Sequence, residues 1–191
     1  MSARIADIVN AMTIDVEDYF HVSVFDGVVP RSQWTTLESR VYANTERVLN
    51  VLADAQVRAT FFVLGWVAER QPSLVRRIAE AGHEIASHGF AHRLVYDQTQ
   101  AAFRQDAIRS KRVLEDACGE EVIGFRAPSY SITPRSLWAL DVLIEAGYEY
   151  DASIFPIHHD RYGIPVSARH PYRIDRRGGS LIEVPASTAR Y

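Results

Sequence analysis

Cysteine is almost absent from this chain, since its 191 residues include only Cys118. An intrachain disulfide is therefore excluded, and so is a zinc site built from several thiolates. Cys118 lies between Ala117 and Gly119 at a predicted helix end, a position that suits a small packing residue. No local pattern around it indicates a nucleophile.

Long apolar runs are also missing. No stretch approaches the roughly 20 apolar residues that a membrane-spanning helix requires. The first residues, MSARIAD, contain no apolar run of the length that signal peptides have. We therefore expect no membrane span, and we expect the chain to be cytoplasmic.

An excess of positive charge is the third absence. The chain has 21 Lys and Arg residues against 24 Asp and Glu residues, and its net charge is −3. Its largest basic clusters, Arg76–Arg77 and residues 173–177, are short and interrupted. This charge balance gives no basis for binding nucleic acid or an anionic membrane surface.

The composition that remains is that of an ordinary globular protein, with 47% hydrophobic and 24% charged residues. We find no internal repeat and no low-complexity segment. A chain of this length buries a sizeable core, so we predict one domain over residues 1–191.

Strand-like and helix-like segments alternate along the chain. Apolar runs predict strands over residues 8–16, 59–64, 84–87, 122–126 and 181–185. Helical spacing and end signals predict helices over residues 44–55, 72–81, 99–117 and 133–146, the last with Thr133 as its cap. Residues 155–179 are predicted to be a long loop. This alternation predicts an α/β fold with a parallel sheet, either doubly wound or a barrel.

Four polar residues fall at or just beyond the carboxyl ends of strand-like segments: Asp15, His88, Arg126 and, after the short segment that precedes YDAS, Asp151. Active sites of parallel α/β folds are built at that edge of the sheet. We therefore expect these side chains to share one site.

The acidic cluster TIDVED, residues 13–18, places three carboxylates within four positions. Such a run is often only an exposed acidic turn. Here it follows an apolar strand directly, and the repulsion between its carboxylates is relieved if a cation or an arginine lies nearby.

The segment SHGFAH, residues 87–92, carries two histidines at positions i and i+4. On one side of a helical turn, His88 and His92 can present two imidazole nitrogens to one metal ion. A carboxylate would complete a three-ligand set with positions left open for water and substrate. The alternative is a pair of histidines that only cap or pack.

Two further clusters are FRAPSY, residues 125–130, and YDAS, residues 150–153. Arg126 at a strand end can hold a carboxylate with two hydrogen bonds, and Pro128 fixes the chain after it. The alternative for Arg126 is a surface salt bridge. The YDAS segment carries little information alone.

Together these clusters resemble the motifs of the NodB-type polysaccharide deacetylases, carbohydrate esterase family 4. TIDVED, SHGFAH, FRAPSY and YDAS follow in the family's order, and the connecting segments ATFFVLG and AEAGHEIASHG also match. The resemblance covers essentially all 191 residues. The segments DVEDYF and FPIHHDRYGIP are similar to the subgroup that includes peptidoglycan deacetylases and allantoinases.

The resemblance implies a distorted (β/α) barrel and a divalent metal, most often zinc. It implies Asp15 as general base, Arg126 as the residue that orients this base, and Asp151 as a member of a supporting charge pair. The implied metal ligands are Glu17, His88 and His92, with Asp18 in reserve. We also expect substrate contacts at Pro128, Tyr130, His159 and Asp160, with ordering of the long loop as the alternative role of His159 and Asp160.

The sequence departs from the family pattern in two places. Val16 stands where the common acidic motif has a second, metal-binding aspartate. Glu17 is the better ligand than Asp18, because alternate residues of a strand share a face and Glu17 shares that of Asp15.

The second departure is the C-terminal Leu-x-His motif, whose histidine protonates the leaving amine. No such motif follows residues 181–185, and His158, His159 and His170 all precede that strand. We therefore expect an incomplete barrel, an open sheet edge near residues 181–185, and a general acid beyond Tyr191.

The function that these features favour is metal-dependent removal of N-acetyl groups from a polysaccharide or its precursor, linked to exopolysaccharide or cell-wall synthesis. Two alternatives stay open. One is a metal-free cyclic amide hydrolase of the allantoinase kind, and the other is a catalytically inactive carbohydrate- or metal-binding module. In each case we expect a carbohydrate or small-molecule partner rather than nucleic acid.

Overall fold

The computed structural model describes residues 10–188, which form one mixed sheet with helices packed against it. The strands are β1 (Thr13–Val16), β2 (Thr60–Val63), β3 (Glu84–Ser87), β4 (Gly124–Phe125), β5 (Tyr150–Asp151), β6 (Tyr172–Arg176) and β7 (Gly179–Glu183). The helices are α1 (Val41–Asp54), α2 (Gly65–Arg70), α3 (Pro72–Glu80), α4 (Gln100–Cys118) and α5 (Trp138–Glu145). Residues 8 and 9 of the first predicted strand lie outside the described range.

The strand order is β1-β2-β3-β4-β5-β7-β6, and every neighbouring pair is parallel except β6 and β7. The predicted α/β class with a parallel sheet is therefore confirmed. Strand β2 shows why the apolar runs were informative. Its residues Phe61, Phe62 and Val63 are almost completely buried, as expected for a parallel strand covered on both faces.

Local signals set the ends of several helices as predicted. Pro72 occupies the first turn of α3, where its missing N–H is not needed, and Gly82 follows that helix at φ +82°. The Thr99 hydroxyl accepts a hydrogen bond from the Ala102 N–H at 3.2 Å and caps α4. Gly119 ends the same helix in the left-handed conformation.

The core lies between the sheet and the helices. Its largest completely buried side chains come from several elements: Phe61, Leu74, Ile78, Phe103, Phe125, Leu114 and Leu140. No helix within residues 10–188 is long and apolar enough to cross a membrane.

The prediction for the fourth helix was wrong at its start. Helix α5 begins at Trp138, whereas Thr133 and Ser136 form a separate turn. In that turn the Thr133 N–H donates to Ser136 Oγ at 2.8 Å, and the Ser136 N–H donates to the Thr133 carbonyl. The Thr133–Pro134 pair therefore starts a turn rather than capping the helix. The short helix α2 was not predicted.

The predicted loop over residues 155–179 was also wrong in part, because it contains β6. This strand pairs antiparallel with β7, and Tyr172, Ile174 and Arg176 are half-buried while Arg173 and Asp175 are exposed. That alternation is a strand signal, which the surrounding Pro, Gly and charged residues obscured.

The sheet is open within residues 10–188, with β1 at one edge and β6 at the other, as expected for an incomplete barrel. Strand β7, which contains most of the predicted last strand, is second from the edge rather than at it. Ile182 on β7 is 42% exposed, whereas Leu181 is buried. On β7 the exposure of large apolar side chains is therefore limited to Ile182.

The sheet is strongly curved. Strands β1 and β4 are separated by two others, so in a flat sheet they would lie about 14 Å apart. Nevertheless Arg126, directly after β4, reaches Asp15 on β1 with an Nη1–Oδ1 distance of 2.8 Å. Curvature of the barrel type therefore brings the carboxyl ends of these strands together.

Candidate metal-binding and catalytic site

Two buried histidines and a half-buried glutamate converge at the carboxyl end of the sheet. Glu17 follows β1, and His88 and His92 follow β3. One ligand atom from each lies within 4.8 Å of the other two. The His92 Nε2 atom is 3.1 Å from Glu17 Oε2. The structure thus brings together the three residues that the resemblance implied as metal ligands.

The His88 ring is held by the backbone of the neighbouring strand. Its Nδ1 atom lies 2.9 Å from the Arg126 carbonyl oxygen, which can only accept a hydrogen bond. Nδ1 therefore carries the proton, and the lone pair of Nε2 is directed toward Asp15, whose Oδ2 is 3.9 Å away. Metal-binding histidines are commonly oriented by such a hydrogen bond.

His92 lies on a loop rather than on the predicted helical turn. Residues 88–94 are not helical, Gly89 has φ +73°, and His92 itself has φ +49°. The conformation at Gly89 reverses the chain, which allows the second histidine to return to the first. The ring centroids of His88 and His92 are 5.5 Å apart. Backbone conformation, rather than helical periodicity, produces this pair.

The electrostatic state of the cluster suits a cation. Burial, with a further contribution from the nearby His88, lowers the pKa of His92 to about 3, so its imidazole is neutral. Burial raises the pKa of Glu17, whose Oε2 atom is buried without a hydrogen-bond donor within residues 10–188. A carboxylate and two neutral imidazoles are a common ligand set for a divalent metal, and an ion there would satisfy Glu17 Oε2.

Asp15 and Arg126 form an ion pair beside this cluster. Arg126 Nη1 donates to Asp15 Oδ1 at 2.8 Å, Nη2 donates to Thr13 Oγ1 at 3.0 Å, and Nε donates to the Ala152 carbonyl at 3.3 Å. The guanidinium also lies 4.0 Å above the Phe62 ring. Arg126 is therefore fixed on all sides, and it leaves Asp15 Oδ2 directed toward His88.

Asp18, the reserve ligand, does not join the cluster. Its Oδ1 accepts the Tyr19 N–H, while its Oδ2 accepts hydrogen bonds from the Ser39 hydroxyl and the Arg40 and Val41 N–H groups. These contacts tie the segment after β1 to the start of α1. Asp18 points away from Glu17, as strand alternation predicted.

Asp151 differs from its expected place in a charge pair. It is completely buried and forms no ion pair with the basic residues of the described range. Its Oδ1 accepts a hydrogen bond from the Ser153 hydroxyl, and the residue in register with it on β7 is Glu183. Glu183 was not predicted as a site residue, because in sequence it is one position of an apolar strand with no motif around it.

The expected substrate contacts lie on an aromatic surface beside Arg126. The Tyr130 ring packs on Phe155 and Tyr162 at centroid distances of 5.2 and 6.0 Å. His159 stacks on Tyr162 at 3.9 Å, and its Nδ1 is 2.9 Å from Asp160. Pro128 is buried below this surface. His159, Asp160 and Tyr162 also line an open groove of about 650 Å³.

Two family models match the chain. The model described as "Polysaccharide deacetylase" matches residues 29–150, which contain His88, His92 and Arg126 but not Asp15 or Glu17. The model described as "Domain of unknown function (DUF3473)" matches residues 152–191. The second segment contributes β6 and β7 to the same sheet.

Curated relatives include a chitooligosaccharide deacetylase from Bradyrhizobium, 33% identical over 99 residues, or 52% of this chain and 43% of the relative. A peptidoglycan-N-acetylglucosamine deacetylase from Bacillus cereus is 33% identical over 98 residues, or 51% of this chain and 36% of the relative. The aligned part of this chain therefore spans less than half of the length of either relative.

Two solved structures resemble the whole described fold. One is the crystal structure of a Mycobacterium smegmatis protein assigned as a polysaccharide deacetylase, with a TM-score of 0.74 and 29% identity, covering 93% of this chain and 58% of that one. The other is an allantoinase, with a TM-score of 0.67, 18% identity, and coverage of 93% and 61%. At that identity the allantoinase shows the fold alone. On the match over residues 29–150, this chain belongs to the polysaccharide deacetylase family.

Proposed function

We propose that this chain supplies the metal-binding and catalytic residues of a hydrolase that removes N-acetyl groups from a polysaccharide or its precursor. The observation that carries the proposal is the convergence of Glu17, His88 and His92 beside the ion pair of Asp15 and Arg126. These side chains lie on or shortly after β1, β3 and β4, at the same edge of the curved sheet.

Glu17, His88 and His92 would hold the metal, for which zinc is our first choice because the ligands are two imidazoles and one carboxylate. When bound, such an ion polarises an amide carbonyl and makes water a better nucleophile.

Asp15 is the general base of the proposed reaction. Arg126 holds Oδ1 and fixes the carboxylate plane, so Oδ2 is the atom available to accept a proton. In the reaction the water oxygen bonds to the amide carbon, Asp15 Oδ2 takes a water proton, and the carbon–nitrogen bond breaks. The products are acetate and a free amine.

The departing nitrogen also requires a proton. His88 and His92 are the described histidines with a ring nitrogen within 4.0 Å of the carboxylates of Asp15 or Glu17, and both are assigned to the metal. The proposal therefore includes a proton donor other than His88 and His92.

The substrate class follows from the aromatic surface and from the names of the relatives. Sugar rings present apolar C–H faces that pack on aromatic rings, and Tyr130 and Tyr162 supply such rings next to Arg126. His159 and Asp160 supply polar groups for sugar hydroxyls. Oligomers of N-acetylglucosamine are the first substrates to test, and a role in exopolysaccharide or cell-wall synthesis follows if they are deacetylated.

Metal binding is the first test, because it needs no complete active site. The purified chain should bind about one zinc ion, and His88→Ala and His92→Ala should each abolish tight binding. His170→Ala is the matched control, since His170 is exposed and lies outside the cluster. If a protein with both substitutions still bound stoichiometric zinc, the assignment of His88 and His92 as metal ligands would be wrong.

The second test measures acetate release from N-acetylglucosamine oligomers by zinc-loaded and chelator-treated protein. Loss on chelation and recovery with zinc are expected. Equal turnover without metal would instead show that the metal has no part in the reaction. Tight zinc binding together with no turnover would favour the inactive module.

A further inference from the structure

Two completely buried carboxyl groups lie side by side in the part of the sheet that the deacetylase model does not match. Asp151 ends β5 and Glu183 ends β7, and each is 0% exposed. They are register partners on adjacent parallel strands, whose backbones lie about 4.8 Å apart. Register partners project from the same face, so these two side chains are neighbours.

The hydrogen-bond partners of the pair leave two oxygens without a donor. Glu183 Oε1 accepts the Ile154 N–H at 2.9 Å, and Asp151 Oδ1 accepts the Ser153 hydroxyl. Asp151 Oδ2 and Glu183 Oε2 are both buried and have no donor within residues 10–188. Two ionised carboxylates in this arrangement would repel each other without compensation.

One shared proton resolves both difficulties. It satisfies Oδ2 and Oε2 together and reduces the charge of the pair to −1, as in other buried carboxyl pairs. The other ionisable groups that influence the pair are Arg126 and Tyr172, the latter in register with Glu183 on β6. Burial raises the pKa of both carboxyls, and the charge of Asp151 raises that of Glu183 further.

The pair is connected to the candidate site through residues 152–154. Ser153 Oγ, which donates to Asp151, accepts the Ala127 N–H at 2.7 Å. The Ala152 carbonyl accepts a hydrogen bond from Arg126 Nε at 3.3 Å. Arg126 in turn holds Asp15 through its side chain and His88 through its carbonyl oxygen.

We propose that Asp151 and Glu183 share one proton at neutral pH, and that Glu183 is a positioning residue for the candidate site. Glu183 fixes the chain at Ile154, and the shared proton fixes Asp151 against Ser153. The segment between them then holds Arg126 and Ala127 in place. A residue from the segment of unknown function thus supports the base and one metal ligand without contacting substrate.

Infrared difference spectroscopy tests the shared proton directly. Near neutral pH the wild-type chain should show the carbonyl stretching band of a protonated carboxylic acid. Glu183→Gln should remove it, because the amide supplies the donor and Asp151 then ionises. Glu149→Gln is the control, since Glu149 is exposed two positions before Asp151, and it should keep the band. A band absent from wild type, or a band whose intensity is the same in Glu183→Gln as in wild type, overturns the shared proton.

Unfolding in urea gives a second measure. A carboxyl whose pKa is raised by folding holds its proton more tightly in the folded state than in the unfolded state. The fold therefore loses stability as the pH rises and this proton dissociates, so the wild-type free energy of unfolding should fall between about pH 5 and pH 8. Glu183→Gln should flatten this decline and be at least as stable as wild type at the upper end. Glu183→Ala should be clearly less stable. Equal losses in the two variants would show that Glu183 only fills space.

The positioning role rests on the proposed metal site and has its own readout. Glu183→Ala should weaken zinc affinity by roughly 10- to 100-fold, as loss of supporting hydrogen bonds does, and Glu183→Gln should restore it. Ser153→Ala keeps both carboxyls and should weaken zinc binding while keeping the infrared band. Unchanged affinity in Glu183→Ala and Ser153→Ala overturns the positioning role. If the wild-type chain binds no zinc, the proposed function fails, whereas the infrared and urea results still decide the shared proton.

Discussion

Two glutamates at the same edge of the sheet, Glu17 half-buried and Glu183 completely buried, differ in the groups that face them. Glu17 follows β1 and faces the imidazoles of His88 and His92, whereas Glu183 ends β7 beside Asp151. Burial raises the pKa of both glutamates. In our proposals a cation compensates the negative charge of Glu17, and a shared proton reduces the negative charge of Glu183 and its neighbour Asp151. Burial of a carboxylate is therefore a weak indication of catalysis until its neighbours are known.

The largest expected effect concerns the base beside Glu17. Asp15→Asn should keep the metal and lower the rate of acetate release by about a hundredfold or more, because the amide cannot accept the water proton. The assay requires a form of the protein that turns over acetylated sugar, with Asp116→Asn at an exposed position as control. Near-normal turnover would move the catalytic role to Glu17 or Asp18.

Zinc-dependent stability contrasts the two glutamates directly. At a free zinc concentration of 100 times the dissociation constant, the free energy of unfolding should rise by about 2.7 kcal/mol. Glu17→Ala should abolish this increase and Glu183→Gln should keep it, as measured by urea titration with and without zinc. An increase that survives Glu17→Ala would indicate a zinc site elsewhere.

Adjacent carboxylates provide a sharper version of the same contrast. Asp18→Ala should reduce the free energy of unfolding by about 2 kcal/mol, because Tyr19, Ser39, Arg40 and Val41 lose an acceptor. It should retain most of the zinc affinity, whereas Glu17→Ala should lose zinc with little change in metal-free stability. A calorimetric zinc titration and a urea titration of each variant suffice. If Asp18→Ala instead lost zinc and Glu17→Ala instead lost stability, Asp18 would be the metal ligand.

The smallest effect is expected at the edge hairpin. Arg176 on β6 binds Asp141 on α5 through distances of 2.9 and 2.5 Å, and this contact lowers the pKa of Asp141. The stabilisation is therefore present above the ordinary aspartate pKa and is lost as the pH falls through the lowered value. The pair is about one-third exposed, so Asp141→Asn should cost only about 0.5 kcal/mol, and less at high salt. A cost independent of pH would contradict this explanation.

The positions of Asp15, His88 and Arg126 could be predicted because each follows an apolar run. The carboxyl ends of parallel strands meet at one edge, so the strand pattern alone indicated a common site. The contact between His88 Nδ1 and the Arg126 carbonyl could not be predicted in that way, since it depends on how β3 and β4 lie side by side.

Other features depended on backbone conformation or register. The return of His92 toward His88 requires positive φ at Gly89 and at His92 itself, which periodicity does not encode. The pairing of Asp151 with Glu183 follows from the register of β5 and β7. These strands are neighbours in the sheet but are separated along the chain by β6. Local sequence places each residue at or in a strand-like segment but does not identify its partner.

The hydrogen bond between Arg126 and Asp15 joins residues 111 positions apart in the chain. Contacts of such sequence separation form only after a large loop has closed, and folds rich in them are slow to assemble. We therefore expect the base and its arginine to come together late in folding, after β1 and β4 have docked through the strands between them. Zinc should consequently slow unfolding more than it speeds folding, because its three ligands come together only when the sheet is complete.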